Sequence, residues 1–356
     1  MGDANLYDYE LPRELIAQEP LADRAAARLL HVQRGSGTID HRRVRDLPDI
    51  LRPGDLLVVN DTQVVPARLR GRRLTTGGGW EGLFLRVAGG GEHAGAWVVL
   101  AQTRGRPEVG ERIVLNDRAG EDAATLLLVG RAEGGGWLVV PEPATPFAEF
   151  LGRVGHVPLP GYIRKGVADA ADLDRYQTVF ARQPGSAAAP TAGLHFTPDL
   201  LAALAARGIA TAGVTLHVGL DTFRPITAAT VAEHPMHTEW CACPAETVAA
   251  VRETKARCGR VVAVGTTAVR TLETAARGRA GADGIAAWSG PTDLFIRPGF
   301  EFRVVDCLLT NFHMPRTTLM VLVATFASRP LIERAYAEAI RDRYRFLSYG
   351  DAMLLE

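Results

Sequence analysis

Lysine is almost absent from this chain. Of 40 basic residues, all but Lys165 and Lys255 are arginines. Schiff-base chemistry therefore has two candidate residues, and any phosphate contact falls to arginine by default. Cysteine is scarce: the chain has Cys241, Cys243, Cys258 and Cys307. Their spacing matches neither a C-x-x-C pair nor a zinc ribbon. They read as small buried apolar residues of a protein kept in a reducing compartment. Net charge is lacking, since 40 basic residues balance 40 acidic ones. That excludes a generally basic nucleic-acid coat but leaves room for a local basic patch. No apolar run reaches the roughly 20 residues that span a bilayer, and the best, 319–327, is far shorter. Residues 1–6 hold no basic n-region, no apolar h-region and no Ser or Thr at position 6. These absences predict a cytoplasmic protein with no membrane attachment.

What remains is an ordinary globular composition. The chain has 356 residues, 47% hydrophobic and 22% charged, which is too long for one small core and predicts two domains. Three segments share one plan, an apolar run followed by an abrupt polar or Gly-rich turn. They are 209–216 before His217-Val218-Gly219, 261–264 before Gly265-Thr266-Thr267, and 302–309 before Thr310-Asn311-Phe312-His313. Short β-rich runs with helix-like sequence between them predict parallel strands joined by crossovers. Leu56 to Val59 reads as a further buried strand, ending in Asn60-Asp61-Thr62. Thr197-Pro198-Asp199 predicts a capped helix start, with Gly208 as its stop. Residues 244–257 predict another helix, stopped by Gly259. Between 67 and 150 the texture changes. Gly triplets at 77–79, 89–91 and 134–136 punctuate short β-rich runs, as in a small antiparallel barrel. None of the triplets fits a phosphate-loop pattern, so they read as hairpin tips. The predicted fold is a mostly parallel-sheet α/β domain with an inserted small antiparallel β-barrel domain. Its core occupies 1–66 and 153–356, and the barrel 67–152.

In such a sheet the ligand crevice lies beyond the carboxyl ends of the strands. One crevice would collect His217, Thr266, Thr267, Asn311 and His313. Gly265 to Arg270 is a strand–turn–helix junction, where free N–H groups and the helix dipole favour an anion. Arg270 could pair there with a carboxylate or phosphate. His195, His217 and His313 titrate near neutrality and are candidate general acids or bases, unranked by the sequence. Phe312 reads as a core anchor. Arg68 falls where the core should meet the insert, and with Arg70, Arg72 and Arg73 it forms the densest basic cluster. No H-E-x-x-H motif is present. His234 and His237 at i, i+3 with Glu239 nearby offer the best metal spacing, and no metal is expected.

Stretches along nearly the whole chain resemble one family, the S-adenosylmethionine:tRNA ribosyltransferase-isomerases of queuosine biosynthesis. They include RPGDLLVVNDTQVVPARL (52–69), GHVPLPGYIR (155–164), APTAGLHF (189–196), VTLHVGLDTFRPI (214–226), MHTEW (236–240), VVAVGTTAVRTLE (261–273), VVDCLLTNFHMPRTTL (304–319) and YRFLSYGDAML (344–354). They occur in the family's order, and 70–150 matches least. The resemblance implies an α/β domain with an inserted barrel. It implies transfer and isomerisation of the ribosyl carbons of S-adenosylmethionine onto 7-aminomethyl-7-deazaguanine at the tRNA wobble position. The product would be epoxyqueuosine, with adenine and methionine released. S-adenosylmethionine is then a substrate, and no cofactor is implied. On this chemistry a histidine removes the proton beside the sulfonium. The methionine carboxylate suits Gly265, Thr266, Thr267 and Arg270, and the ribose hydroxyls suit Asn311, Asp61 or Thr191. Asp221 replaces a usual family glycine and reads as a tolerated substitute. Arg316 stands where relatives vary. A monomer is expected. Two other readings stay open, a non-catalytic RNA-binding protein and a metal-dependent hydrolase.

Overall fold

The computed structural model describes residues 3–89, 94–132, 135–219, 225–228, 230–236, 238–277 and 284–356. Asp221, His237 and the triplet members Gly90, Gly91 and Gly134 lie outside the described residues. Two compact units emerge. One comprises 1–63, 160–165 and 177–356, the other 64–159 and 166–176. The second unit thus extends past the expected limit of 152. It takes in the amphipathic helix Phe147–Val154, whose Phe150, Leu151 and Val154 are buried.

The first unit is built on nine strands: β1 Arg28–Val32, β2 Ile39–Arg43, β3 Leu56–Asn60, β4 Ala210–Leu216, β5 Glu239–Cys243, β6 Val261–Val264, β7 Trp288–Thr292, β8 Cys307–Asn311 and β9 Ala352–Leu355. Their order is β7-β5-β4-β3-β6-β8-β9-β1-β2. The middle strands β4, β3, β6 and β8 are parallel. β5, β7 and β2 run antiparallel at the two sides. β9 lies antiparallel to β8 and parallel to β1. The sheet is therefore mixed, with the expected parallel set at its centre.

Alternation explains why the central strands read as unbroken apolar runs. Leu56, Val58, Val261 and Ala263 belong to one hydrophobic cluster, and Leu57, Val59, Val262 and Val264 to another. Both faces are dry, so neither can be polar. Each such Leu or Val side chain contributes about 1.5–3 kcal/mol by leaving water. The helix Pro198–Ala206 starts as the sequence predicts, with the Thr197 hydroxyl accepting the Leu200 N–H at 3.2 Å. The helix Ala245–Ala256 ends at Cys258, not Gly259, in the left-handed turn, with φ +57°. Cys258 is exposed, while Cys241, Cys243 and Cys307 are buried as expected.

One expected strand is displaced. The run at 302–309 enters the sheet only at Cys307, and Thr310 and Asn311 belong to β8 rather than to a turn. The cause is Glu273. Its buried carboxylate accepts the N–H groups of Arg303, Val304 and Val305, each at 3.0 Å. Amides held this way cannot join a ladder.

The second unit contains a closed six-stranded antiparallel barrel: Arg68–Arg73, Gly79–Val87, Trp97–Thr103, Arg112–Asn116, Asp122–Arg131 and Trp137–Glu142. Its first strand contains the densest basic cluster of the sequence. Arg72 meets Asp122 at 2.8 and 2.6 Å, Arg73 meets Glu111 at 2.7 and 2.8 Å, and Arg68 meets Glu81 at 2.9 Å. Acids on the barrel's other strands and turns therefore neutralise three of the four. Only Arg70 of this cluster has no hydrogen bond or ion pair among the described residues.

Candidate active site

The site grows out of the ends of β6 and β8. After Val264 the chain must turn sharply into the helix Thr266–Ala276. Gly265 makes that turn at φ +90°, a conformation that suits glycine, and donates its N–H to the Leu309 carbonyl at 2.8 Å. The first amides of the helix have no intrahelical acceptor and present the positive end of its dipole. The Thr267 hydroxyl is buried there without a partner. At the end of β8, Asn311 donates Nδ2–H to the Leu347 carbonyl at 3.0 Å, and its side chain also meets His195. A buried hydroxyl is rarely left unpaired.

These groups line a cavity. Of the residues singled out from the sequence, Thr191, Gly265, Thr266, Thr267, Asn311 and His313 line it. Val218, Ala189, Met314 and Leu319 give it apolar walls. Tyr162 and Ser348 complete the lining, their hydroxyls 2.7 Å apart. Sequence reasoning missed this pair. Both lie in stretches that carry the family resemblance, but 186 residues separate them and no local pattern links them. The mostly apolar lining with a few converging polar groups is that of a small-molecule site.

The three histidines separate. His313 is buried, and its Nε2 lies 2.8 Å from the Thr310 hydroxyl. Its backbone N–H donates to Tyr336 Oη, and its carbonyl accepts from Tyr9 Oη. Burial pushes its pKa down to about 3. His195 closes the short 3-10 turn Thr191–His195 and lies behind the cavity wall. Burial lowers its pKa to about 4, with Asp351 and Asn311 holding it partly up. Its Nε2 has no well-formed hydrogen bond. His217 does not line the cavity, although Val218 beside it does. It is half-buried, its Nδ1 is 2.8 Å from the Thr62 hydroxyl, and its ring stacks on Trp240 with centroids 5.2 Å apart. Burial lowers its pKa and the nearby Asp61 raises it.

The remaining residues sit elsewhere. Arg270 does not face the cavity. It is 3% exposed, pairs with buried Glu239 and donates Nε–H to the Leu294 carbonyl at 3.1 Å. The spacing that put an arginine one turn into the helix could not reveal that β5 supplies its carboxylate. Asp61 is half-buried beside His217 and accepts the Thr215 hydroxyl at 2.6 Å. Arg68 belongs to the barrel unit, where it also donates to the carbonyls of Gly166 and Leu159. Phe312 is fully buried against Tyr336, Tyr344 and Phe346, as a core anchor should be. Among the described residues, one group brings three metal-ligating atoms together: His41, Glu338 and Asp342. It shares no residue with the cavity, and Glu239 is engaged by Arg270. No helix among the described residues is long and apolar enough to cross a membrane.

A family model described as queuosine biosynthesis protein matches residues 4–355. Relatives named S-adenosylmethionine:tRNA ribosyltransferase-isomerase match over nearly the full length. The one from Pelobacter propionicus is 51% identical over 350 residues, covering 98% of each chain. The one from Geobacter metallireducens is 50% identical over 352 residues, again covering 98% of each. The crystal structure of an S-adenosylmethionine tRNA ribosyltransferase from Thermotoga maritima is 37% identical and aligns with a TM-score of 0.55, over 99% of this chain and 100% of its own. With the cavity at the strand ends, the barrel unit and a family match across the chain, the protein belongs to the queuosine biosynthesis protein family.

Proposed function

We propose that this chain is an S-adenosylmethionine:tRNA ribosyltransferase-isomerase. It moves the ribosyl carbons of S-adenosylmethionine onto a 7-aminomethyl-7-deazaguanine base at the tRNA wobble position. Epoxyqueuosine forms, and adenine and methionine leave. The observation that carries this reading is the cavity at the ends of β6 and β8, with the unpartnered Thr267 hydroxyl at a helix N-terminus and Asn311 in its lining. That N-terminus suits the methionine carboxylate. Thr191 and Asn311 suit the ribose hydroxyls, and the apolar wall suits the uncharged rim of the adenine.

Acid–base work favours a group that titrates near the working pH. His313 at about 3 and His195 at about 4 are poor bases and act here as neutral hydrogen-bond partners. His217 keeps solvent contact and an acid neighbour in Asp61, so it takes the proton from the carbon beside the sulfonium. β4 lies two strands from β6. At about 4.8 Å per strand, His217 stands roughly 10 Å across the sheet from Gly265 and, three residues further on, about 10 Å along the strand direction. The donor's reacting carbon then lies between them, with the tRNA base on the His217 side. The reaction draws on no metal or redox cofactor, and the enzyme acts as a cytoplasmic monomer.

The test is incubation with S-adenosylmethionine and tRNA carrying the precursor base, followed by nucleoside mass analysis, with and without a chelator. Epoxyqueuosine and matched release of adenine and methionine are expected in both. Methylated tRNA without adenine release would refute the reading. A rate abolished by chelation and restored by zinc would point to the hydrolase alternative.

A further inference from the structure

We propose that Trp240 is the stacking platform for the acceptor base and that Asp61 receives the base's aminomethyl cation. The proposal rests on the ribosyltransferase reading and assigns its second substrate a place.

Trp240 sits at the start of β5 between two buried neighbours, Glu239 and Cys241, yet is itself 44% exposed. β5 runs antiparallel to β4, and the His217 N–H donates to the Trp240 carbonyl at 3.0 Å. Their side chains share one face of the sheet. The two rings lie nearly parallel, at 19°. His217 is in turn fixed from two sides. Thr62 holds its Nδ1 at 2.8 Å, and Gly185 passes over the ring so closely that a Cβ there would come within 2.9 Å of it. The stack of Gly185 backbone, imidazole and indole is therefore rigid. Trp240 meets no other aromatic ring among the described residues, and 44% of it is exposed. A pre-ordered, half-exposed indole suits a planar base drawn out of its strand.

Charge points to which base. Asp61 lies on the same face, because its carboxylate meets Thr215 and Gly213, residues of β4 spaced by two from His217. One oxygen accepts the Thr215 hydroxyl at 2.6 Å, while the other has no hydrogen-bond partner among the described residues. A half-buried carboxylate with a free oxygen beside a stacking surface favours a base that carries an ammonium. Guanine has no such group, and the aminomethyl base does. The platform is also separate from the cavity, since neither Trp240 nor Asp61 lines it. Two subsites along one strand edge are what a two-substrate transfer requires.

The experiment uses the full chain and short anticodon stem-loop RNAs carrying either the aminomethyl base or guanine. Equilibrium binding and steady-state kinetics are measured for wild type, Trp240→Phe, Trp240→Leu and Asp61→Asn. Leucine keeps His217 covered but removes the π face. Loss of base stacking weakens binding about tenfold to hundredfold. We expect that loss in Trp240→Leu for both RNAs, recovery in Trp240→Phe, and an unchanged KM for S-adenosylmethionine. Asp61→Asn should bind the aminomethyl RNA no more tightly than the guanine RNA. Bound base should quench indole fluorescence in wild type and not in Trp240→Phe. Wild-type binding by folded Trp240→Leu, or a loss confined to the KM for S-adenosylmethionine, overturns the platform. Retained preference in Asp61→Asn overturns the cation assignment. Absence of any transfer by the wild-type enzyme would instead refute the underlying reading.

Discussion

Arg270 offers the sharpest test of how far local sequence can be trusted. Its position one turn into a helix that opens on the cavity suggests contact with a substrate carboxylate. In the fold it pairs with Glu239, and both side chains are almost fully buried, at 3% and 7% exposure. Glu239 also accepts the Gly219 N–H at 2.8 Å. Arg270→Met keeps the volume of the side chain and removes its charge. It takes the paired cation away from a buried carboxylate. Breaking such a pair from one side costs about 3–5 kcal/mol. For a long chain, at roughly 2 °C per kcal/mol, the unfolding midpoint should fall by about 6–10 °C. Adding Glu239→Gln should recover most of that loss, because the second change removes the stranded charge. Thermal unfolding of both single variants and the double variant gives the coupling directly. The KM for S-adenosylmethionine should stay within about threefold of wild type, well under the tenfold that a lost contact of 1.4 kcal/mol would cause. A wild-type midpoint in Arg270→Met, together with a raised KM for the donor, would show that the arginine serves the ligand.

Acid should destabilise the fold earlier than surface carboxylates alone would cause. An unfolded imidazole takes a proton near 6.5, but folded His195 does so only near 4 and His313 near 3. In that window the unfolded state holds more protons, so stability falls as pH drops below 6.5, by roughly 3 kcal/mol for His195 alone. Glu273, whose carboxyl burial pushes upward, works in the opposite sense. Midpoints measured from pH 7.5 to 5 should decline in wild type and less steeply in His195→Gln, and a flat wild-type profile contradicts the assignment. Binding of tRNA should depend on the arginines that the barrel leaves unpaired. Arg70→Ala should lower the salt slope of log K by about 0.7–0.9, whereas Arg72→Ala and Arg73→Ala leave it unchanged. Equal reductions in all three would show that tRNA displaces the internal acids.

The sequence by itself determined the elements whose cause is local. Apolar runs bounded by polar turns located β3, β4 and β6, and for β3 and β6, dry on both faces, the sequence can be written in no other way. Thr197-Pro198-Asp199 marked a helix start, because a hydroxyl and a fixed φ act within a few residues. Glycine-punctuated runs disclosed the barrel, and Gly265-Thr266-Thr267 with Asn311 disclosed one wall of the cavity. Family stretches along the chain identified the chemistry. Tertiary structure alone decided everything that needed a distant partner. β8 begins late because Glu273, from another element, claims three amides. Four arginines in a row look like a patch until barrel strands bring Glu81, Glu111 and Asp122 to three of them. Three loop histidines look equivalent until burial drives two far below neutrality and leaves the third in contact with solvent. Sequence records which groups are available. Only packing sets which of them meet, and at what cost in hydration.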